Sequence, residues 1–194
     1  HVRDAVRTED HPVDPARPEA LLRKFVPCQE APEEVRRALA LDRLDLSEDS
    51  SLPCSIIDLK LSNGAGVETI RFDLNDEIII TIIYRLKTKI DGFHIVVTLS
   101  RHMVDILHSY DVDSMNEIPP RGPGVYETQL RIPRMFLKGG SYSITIVTTD
   151  PAREYQWINS ALSFEIEETS QNTYRKGYRR DRPGYVIFPG VWQT

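Results

Sequence analysis

From residue 53 onward, apolar residues recur at every second position through most of the chain, the period of a strand with one buried face and one wet face. The pattern is clearest between Val125 and Ile166. There Tyr126, Thr128, Leu130 and Ile132 alternate with Glu127, Gln129 and Arg131. Tyr142, Ile144 and Ile146 alternate with Ser143, Thr145, Val147 and Thr149. A polar turn around Pro151 to Glu154 leads to Tyr155–Asn159, and Ala161–Ile166 closes the run. Gly, Pro and Asp punctuate these segments, which predicts three strands of an antiparallel sandwich.

The same period extends upstream. Ser55–Leu61 predicts a strand with Ile57, Leu59 and Leu61 on one face, followed by a tight turn at Asn63-Gly64. Val67–Phe72 reads as a short edge strand and Asp73–Asp76 as a turn. Glu77–Leu86 is apolar on both faces, so it belongs at the centre of a sheet, its outer face covered by a neighbouring element or another subunit. Five isoleucines between residues 78 and 83 favour a strand over a buried helix. After a hairpin signal at Asp91-Gly92, Phe93, Ile95, Val97 and Leu99 point inward, with His94, Val96, Thr98 and Ser100 outward. Met103–Tyr110 predicts a strand with Val104, Ile106 and His108 on one side, and Pro119, Pro120 and Pro123 stiffen the loop over 111–124. Seven or eight short strands make an all-β, antiparallel β-sandwich. The apolar run Pro183–Trp192 predicts a terminal strand that packs on its own sandwich or is donated to a second copy.

Residues 1–50 carry a different pattern. Pro12, Pro15, Pro18 and Pro27 interrupt them, leaving room for short helices over Pro18–Phe25 and from Pro32. We expect a linker or partly helical appendage there and the sandwich over 51–194. The chain opens on His1 rather than Met, which reads as a processed or expressed piece of something longer.

Charge sharpens the picture. Of the 29 acidic and 24 basic residues, 12 and 8 fall within residues 1–50, so the sandwich is nearly neutral and lacks the positive field of a nucleic-acid binder. No apolar run approaches the length of a membrane-spanning helix. Cys28 and Cys54 make a weak disulfide candidate and fit a reducing compartment better. There is no glycine-rich phosphate loop, C-x-x-C, H-E-x-x-H or G-x-S-x-G, and we expect neither enzyme activity nor a cofactor. His94, His102 and His108 do not read as a metal site. The last two lie six residues apart, or roughly 20 Å along a strand, whereas zinc ligands bond at about 2 Å. Asp73 with Asp76, Asp111 with Asp113, and Asp150 are turn formers first. A hydrolase would need two carboxylates facing each other across a cleft.

Two candidates for binding remain. Trp157 reads first as a plug closing one end of the sandwich and second as a platform for a sugar ring. The outward set His94, Thr98, Ser100, Glu127, Gln129, Arg131, Ser143 and Thr145 offers either a hydrogen-bonding sheet face or a plain solvated one. Ile79, Ile83, Tyr185, Ile187 and Trp192 are the candidate dimer contacts.

The order of pieces from Leu130 onward resembles a known family. Ile132-Pro133, Leu137-Lys138-Gly139-Gly140-Ser141-Tyr142-Ser143-Ile144-Thr145-Ile146, Asp150, Tyr155-Gln156-Trp157-Ile158 and Ala161–Ile166 carry the resemblance, with the ending Gly184–Trp192. The family is the C-terminal carbohydrate-binding domain of the ATP-binding subunits of O-antigen polysaccharide ABC exporters, and the resemblance spans about residues 53–194. It implies an immunoglobulin-like sandwich that forms a homodimer, with its last strand exchanged or packed across the interface. It further implies recognition of the modified non-reducing end of a bacterial polysaccharide, coupling chain termination to export. The partners implied are an ATPase domain and a membrane subunit, placing the chain at the cytoplasmic side of the inner membrane. Gln156 stands where the family often has an acidic residue before its Trp, and residues 1–50 match no nucleotide-binding motif. The alternative is a structural or dimerisation module of another polysaccharide-biosynthesis protein that binds no glycan.

Overall fold

The computed structural model describes residues 51–168 and 184–187. The helices expected within residues 1–50, Cys28 and Trp192 lie outside the described residues. Among the described residues eight strands follow in order: β1 (Cys54–Asn63), β2 (Arg71–Asp73), β3 (Ile78–Leu86), β4 (His94–Arg101), β5 (Val104–Tyr110), β6 (Gly124–Ile132), β7 (Gly140–Thr149) and β8 (Glu154–Glu167). They form two sheets, one ordered β1-β3-β6 and the other β2-β8-β7-β4-β5. All pairings are antiparallel except β2 with β8. The fold is all-β.

The two sheets close on one core. Ile78, Ile80, Ile82, Tyr84 and Leu86 of β3 share it with Ile95, Val97 and Leu99 of β4, Tyr142, Ile144 and Ile146 of β7, and Phe164 and Ile166 of β8. Tyr84 stacks on both Phe93 and Tyr126 at 5.4 Å, and Tyr142 stacks on Phe164 at 5.3 Å. Such ring pairs contribute about 0.5–1.5 kcal/mol each beyond their buried area. The alternation expected for β6 and β7 holds, with Tyr126, Leu130, Tyr142, Ile144 and Ile146 packed in or against the core. The run Ile78–Leu86 is a central strand, as its two apolar faces require. Its outer-face Ile79 and Ile83 are already 6% and 8% exposed within the single chain.

Three expectations change, each for a local reason. In β1 a bulge between Ile56 and Asp58 breaks the period, so Ile56 is buried with Leu59 and Leu61 while Ile57 is only half-buried. The bulged backbone is held from the opposite sheet, where Gln156 Oε1 accepts the Ile56 N–H at 3.0 Å. In β5 a second bulge pairs Leu99 with Leu107 but Ser100 with Asp105. Val104, Ile106 and His108 therefore do not share a side, and Val104 and His108 are exposed. The edge strand expected over Val67–Phe72 forms later and shorter, as β2, leaving Val67 and Ile70 exposed.

The loop before β6 is tied to the core by charge. Arg121, 3% exposed, donates from Nη1 to Asp111 Oδ2 and to the Tyr84 hydroxyl, both at 2.7 Å. Asp111 Oδ1 in turn accepts the Ile95 N–H at 2.8 Å. This anchor sets the path of the chain leaving β5, and with it the position of Tyr110.

Candidate functional site

β4 and β7 lie side by side within the larger sheet, and their register aligns outward residues singled out from sequence. Thr98 faces Thr145, Ser100 faces Ser143, and His94 faces Thr149. β5 adds Tyr110 beside Val96 and His108 beside Thr98, while β8 adds Trp157 beside Val147 and Ser163 beside Ser143. One row across four strands therefore reads Tyr110, Val96, Val147, Trp157. At about 4.8 Å per strand, its two ends stand roughly 14 Å apart. The ends are tall and exposed, Tyr110 at 43% and Trp157 at 56%, whereas Val96 and Val147 between them are buried. The result is a shallow trough with an apolar floor, an aromatic wall on each side and hydroxyls along the adjoining rows. Trp157 does not plug the sandwich; it stands on the outside of β8.

Hydrogen bonds set the chemistry of this face. His94 Nδ1 lies 2.9 Å from the Gly92 carbonyl, which can only accept, so Nδ1 carries a proton there, which in a neutral imidazole leaves Nε2 as the acceptor. The His94 ring also lies against Tyr110, 5.7 Å between centroids. Thr98 Oγ1 and His108 Nδ1 are 3.0 Å apart, and Ser100 donates to Asp105 Oδ1 at 2.6 Å. Thr145 Oγ1 accepts the Ser160 N–H at 3.3 Å, at a point where β8 kinks with Ser160 in the left-handed region (φ 48°). Trp157 Nε1 donates to Asn159 Oδ1 at 2.6 Å, which fixes the indole plane. The face thus offers ring surfaces, hydroxyls and imidazoles; of the charged side chains in these rows, Asp105 is engaged by Ser100, and Glu154 lies across from Thr149 in the His94 row.

Glu127, Gln129 and Arg131 do not join it. They sit on β6 in the other sheet, opposite Ile83, Thr81 and Ile79 of β3, on the far side of the molecule. Arg131 donates to Glu77 and to Gln129, and Gln129 to Glu127. These groups satisfy one another across a solvated face. Of the candidate dimer contacts, Tyr185 and Ile187 lie along the loop before β7, where Lys138 N–H donates to the Tyr185 carbonyl at 3.2 Å and Ile187 N–H to that of Phe136 at 2.6 Å.

Of the carboxylates expected in turns, Asp76, Asp113 and Asp150 serve them, whereas Asp111 pairs with buried Arg121. Asp76 accepts the Asp73 N–H and Asp113 the Tyr110 N–H. Asp150 accepts the N–H groups of Ala152 and Arg153 and the Tyr155 hydroxyl. The Tyr155 hydroxyl is the main cause of its carboxyl being held below the usual aspartate range. Among the described residues no group of three His, Cys, Asp or Glu side chains is placed to hold a metal ion, and no helix is long and apolar enough to cross a membrane.

Tyr110, Val96 and Asn159 complete the trough and were not among the residues singled out from sequence. Tyr110 was hidden by the β5 bulge, and only the β4–β7–β8 register shows that the two valines fall between the aromatic rings.

Comparison with known proteins agrees with this architecture. The family model described as the Wzt C-terminal domain matches residues 47–178. A crystal structure of the C-terminal domain of wzt superposes with a TM-score of 0.57 at 10% identity, covering 74% of this chain and 85% of that one. At that identity the likeness concerns the fold alone. No curated protein matches the chain in sequence.

Proposed function

Because the chain belongs to the family of Wzt C-terminal domains, which it matches over residues 47–178, we propose that it is a non-catalytic carbohydrate-recognition domain serving O-antigen export by an ABC transporter. The observation that carries this reading is the trough on the larger sheet. A pyranose presents C–H groups on its faces and hydroxyls at its rim, so it needs ring surfaces for the first and neutral donors and acceptors for the second. Tyr110 and Trp157 supply the rings. Thr98, Ser100, Ser143, Thr145 and the His94 Nε2 acceptor supply the polar contacts at the spacing of the strands.

In this reading the ligand is the terminally modified, non-reducing end of a bacterial polysaccharide, and its binding couples chain termination to export. The domain acts beside an ATPase domain and a membrane subunit at the cytoplasmic side of the inner membrane. Residues 51–194 form the binding unit, residues 1–50 a linker or partly helical appendage, and the segment containing Tyr185 and Ile187 contributes to a homodimer. An immunoglobulin-like arrangement is supported by two tyrosine hydroxyls that bond back to the carbonyl four residues upstream, Tyr126 to Gly122 and Tyr142 to Lys138.

The test is binding of the full chain to bacterial O-polysaccharides, each with its terminal modification present and removed. Saturable binding to a capped glycan and loss of binding on removing the cap is the expected result. A folded chain that binds none of a broad panel would overturn the reading in favour of a structural module.

A further inference from the structure

At the end of the sandwich where β4 finishes and β7 begins lies a cavity of about 420 Å³, separate from the trough and bordered by Arg101, Lys138, Gly139, Glu168 and Tyr185. Its size falls within the range of roughly 300–1,000 Å³ typical of small-molecule sites. Arg101 is its distinctive group. The guanidinium lies over two rings, 5.4 Å from the Tyr142 centroid and 5.7 Å from that of Tyr185. Nη1 donates to the Tyr142 hydroxyl at 3.2 Å, while Nε is buried without a hydrogen-bond partner. Its described partners are therefore one hydroxyl and two aromatic faces, and none of them balances its charge or uses the fork of N–H donors that matches a carboxylate.

Two glycines keep this space open. A Cβ on Gly140 would fall 2.5 Å from Arg101 Nη2, and one on Gly139 would fall 2.5 Å from Glu168 Cγ. Gly140 has a φ of +140°, which favours glycine further. Elsewhere in the lining the Gly139 N–H donates to Glu168 Oε1 at 3.1 Å, which orients that carboxylate as an acceptor. A guanidinium fork and a carboxylate in one lining suit neither a plain anion nor a neutral sugar. They suit a ligand carrying a carboxylate at one end and hydroxyl donors at the other. We propose that this cavity binds a polyhydroxylated carboxylate of the uronic-acid class, with its carboxylate on Arg101 and its hydroxyls donating to Glu168. This does not depend on the trough binding a glycan.

The test follows the side-chain Nε–H resonance of Arg101 by NMR in the full chain. Sodium glucuronate, glucose and sodium phosphate are added at matched ionic strength up to about 10 mM, enough to saturate a site with a Kd of about 1 mM. The expected result is a saturable shift with glucuronate and none with glucose. The Arg101→Gln variant should weaken glucuronate binding about tenfold or more, as loss of a charge-assisted pair requires, while Trp157→Ala leaves it unchanged. No saturable shift with glucuronate in the unaltered chain would overturn the proposal. An equal response to phosphate would also overturn it, by showing a site for simple anions. Both of these outcomes are measured in the unaltered chain, so a folding defect in Arg101→Gln does not decide the matter.

Discussion

Truncating Trp157 separates the binding face from the fold. A Trp side chain presents roughly 150–250 Å², and Trp157 is 56% exposed, so on the order of 100 Å² is free to meet a ligand. A flat sugar covers one face of the ring, about half of that area. At about 25–30 cal/mol per Å² the contact contributes about 1.4 kcal/mol. That corresponds to about a tenfold weaker Kd for Trp157→Ala. Trp157→Phe retains a ring and should lose less. The cost to stability is separate and small, about 1–2 kcal/mol, because the side chain lies outside the core and its loss removes only its partial burial and strand preference. Calorimetric titration with a glycan that the unaltered chain binds, together with a melting curve of each variant, measures both quantities. A folded Trp157→Ala variant with an affinity within twofold of the unaltered chain would refute the placement of the site on this face.

Three further outcomes follow from the geometry. Arg121→Met leaves the Asp111 carboxylate and Tyr84 hydroxyl without their shared donor, and should lower stability by about 3–5 kcal/mol in urea titration. Adding Asp111→Leu should recover part of that loss, and a single-variant cost under about 1 kcal/mol would contradict the anchor. Gly92 has a φ of +74° and would bring a Cβ within 2.8 Å of Pro151 Cδ, whereas Gly66 at φ +80° meets nothing within 4 Å. Gly92→Ala should therefore destabilise by about 1–3 kcal/mol and more than Gly66→Ala, which carries backbone strain alone. Asp150 has its carboxyl pKa lowered on folding, so its contribution is complete above the ordinary aspartate range and is lost as pH falls through the folded value. Asp150→Asn should flatten the acid limb of the stability curve, and carbon NMR titration of Asp150 should give a midpoint below the ordinary value.

The elements that the sequence disclosed are those whose identity rests on local pattern alone. β3 carries apolar residues on both faces and could sit only inside a sheet. β7 alternates without interruption, and each of its inward residues is buried. Where the period breaks, the sequence carries no mark of the break. Ile56-Ile57 offers two isoleucines for one inward position, and the choice is made by Gln156 reaching from the other sheet. The β5 bulge took His108 off the side it was expected to share with Val104, placing it in the Thr98 row, and brought Tyr110 beside Val96. The outward set alternates with core residues strand by strand but divides between the two sheets. Which strands become neighbours depends on pairing between residues far apart in the chain, and nothing local distinguishes a polar residue on β6 from one on β7.

Under the proposed function, the division of that set between two faces accounts for the choice of the larger sheet over the smaller. On the smaller sheet Asp58 pairs with Lys60, and Arg131 links Glu77 to Gln129 and Glu127. A neutral ligand there would displace water from charged groups that already satisfy one another, a desolvation cost with no new charge partner to offset it. On the larger sheet the middle of the trough is Val96 and Val147, buried apolar side chains with no hydrogen bonds for a ligand to break. The hydroxyls of Thr98, Ser100 and Thr145 already hold partners in His108, Asp105 and the Ser160 N–H, so a ligand meets them through their remaining donor or acceptor capacity. In that reading selectivity follows from placement: the aromatic positions at the two ends of the row, roughly 14 Å apart, set the length of the glycan segment they grip, and with the proton on Nδ1 a neutral His94 presents Nε2 to a donor.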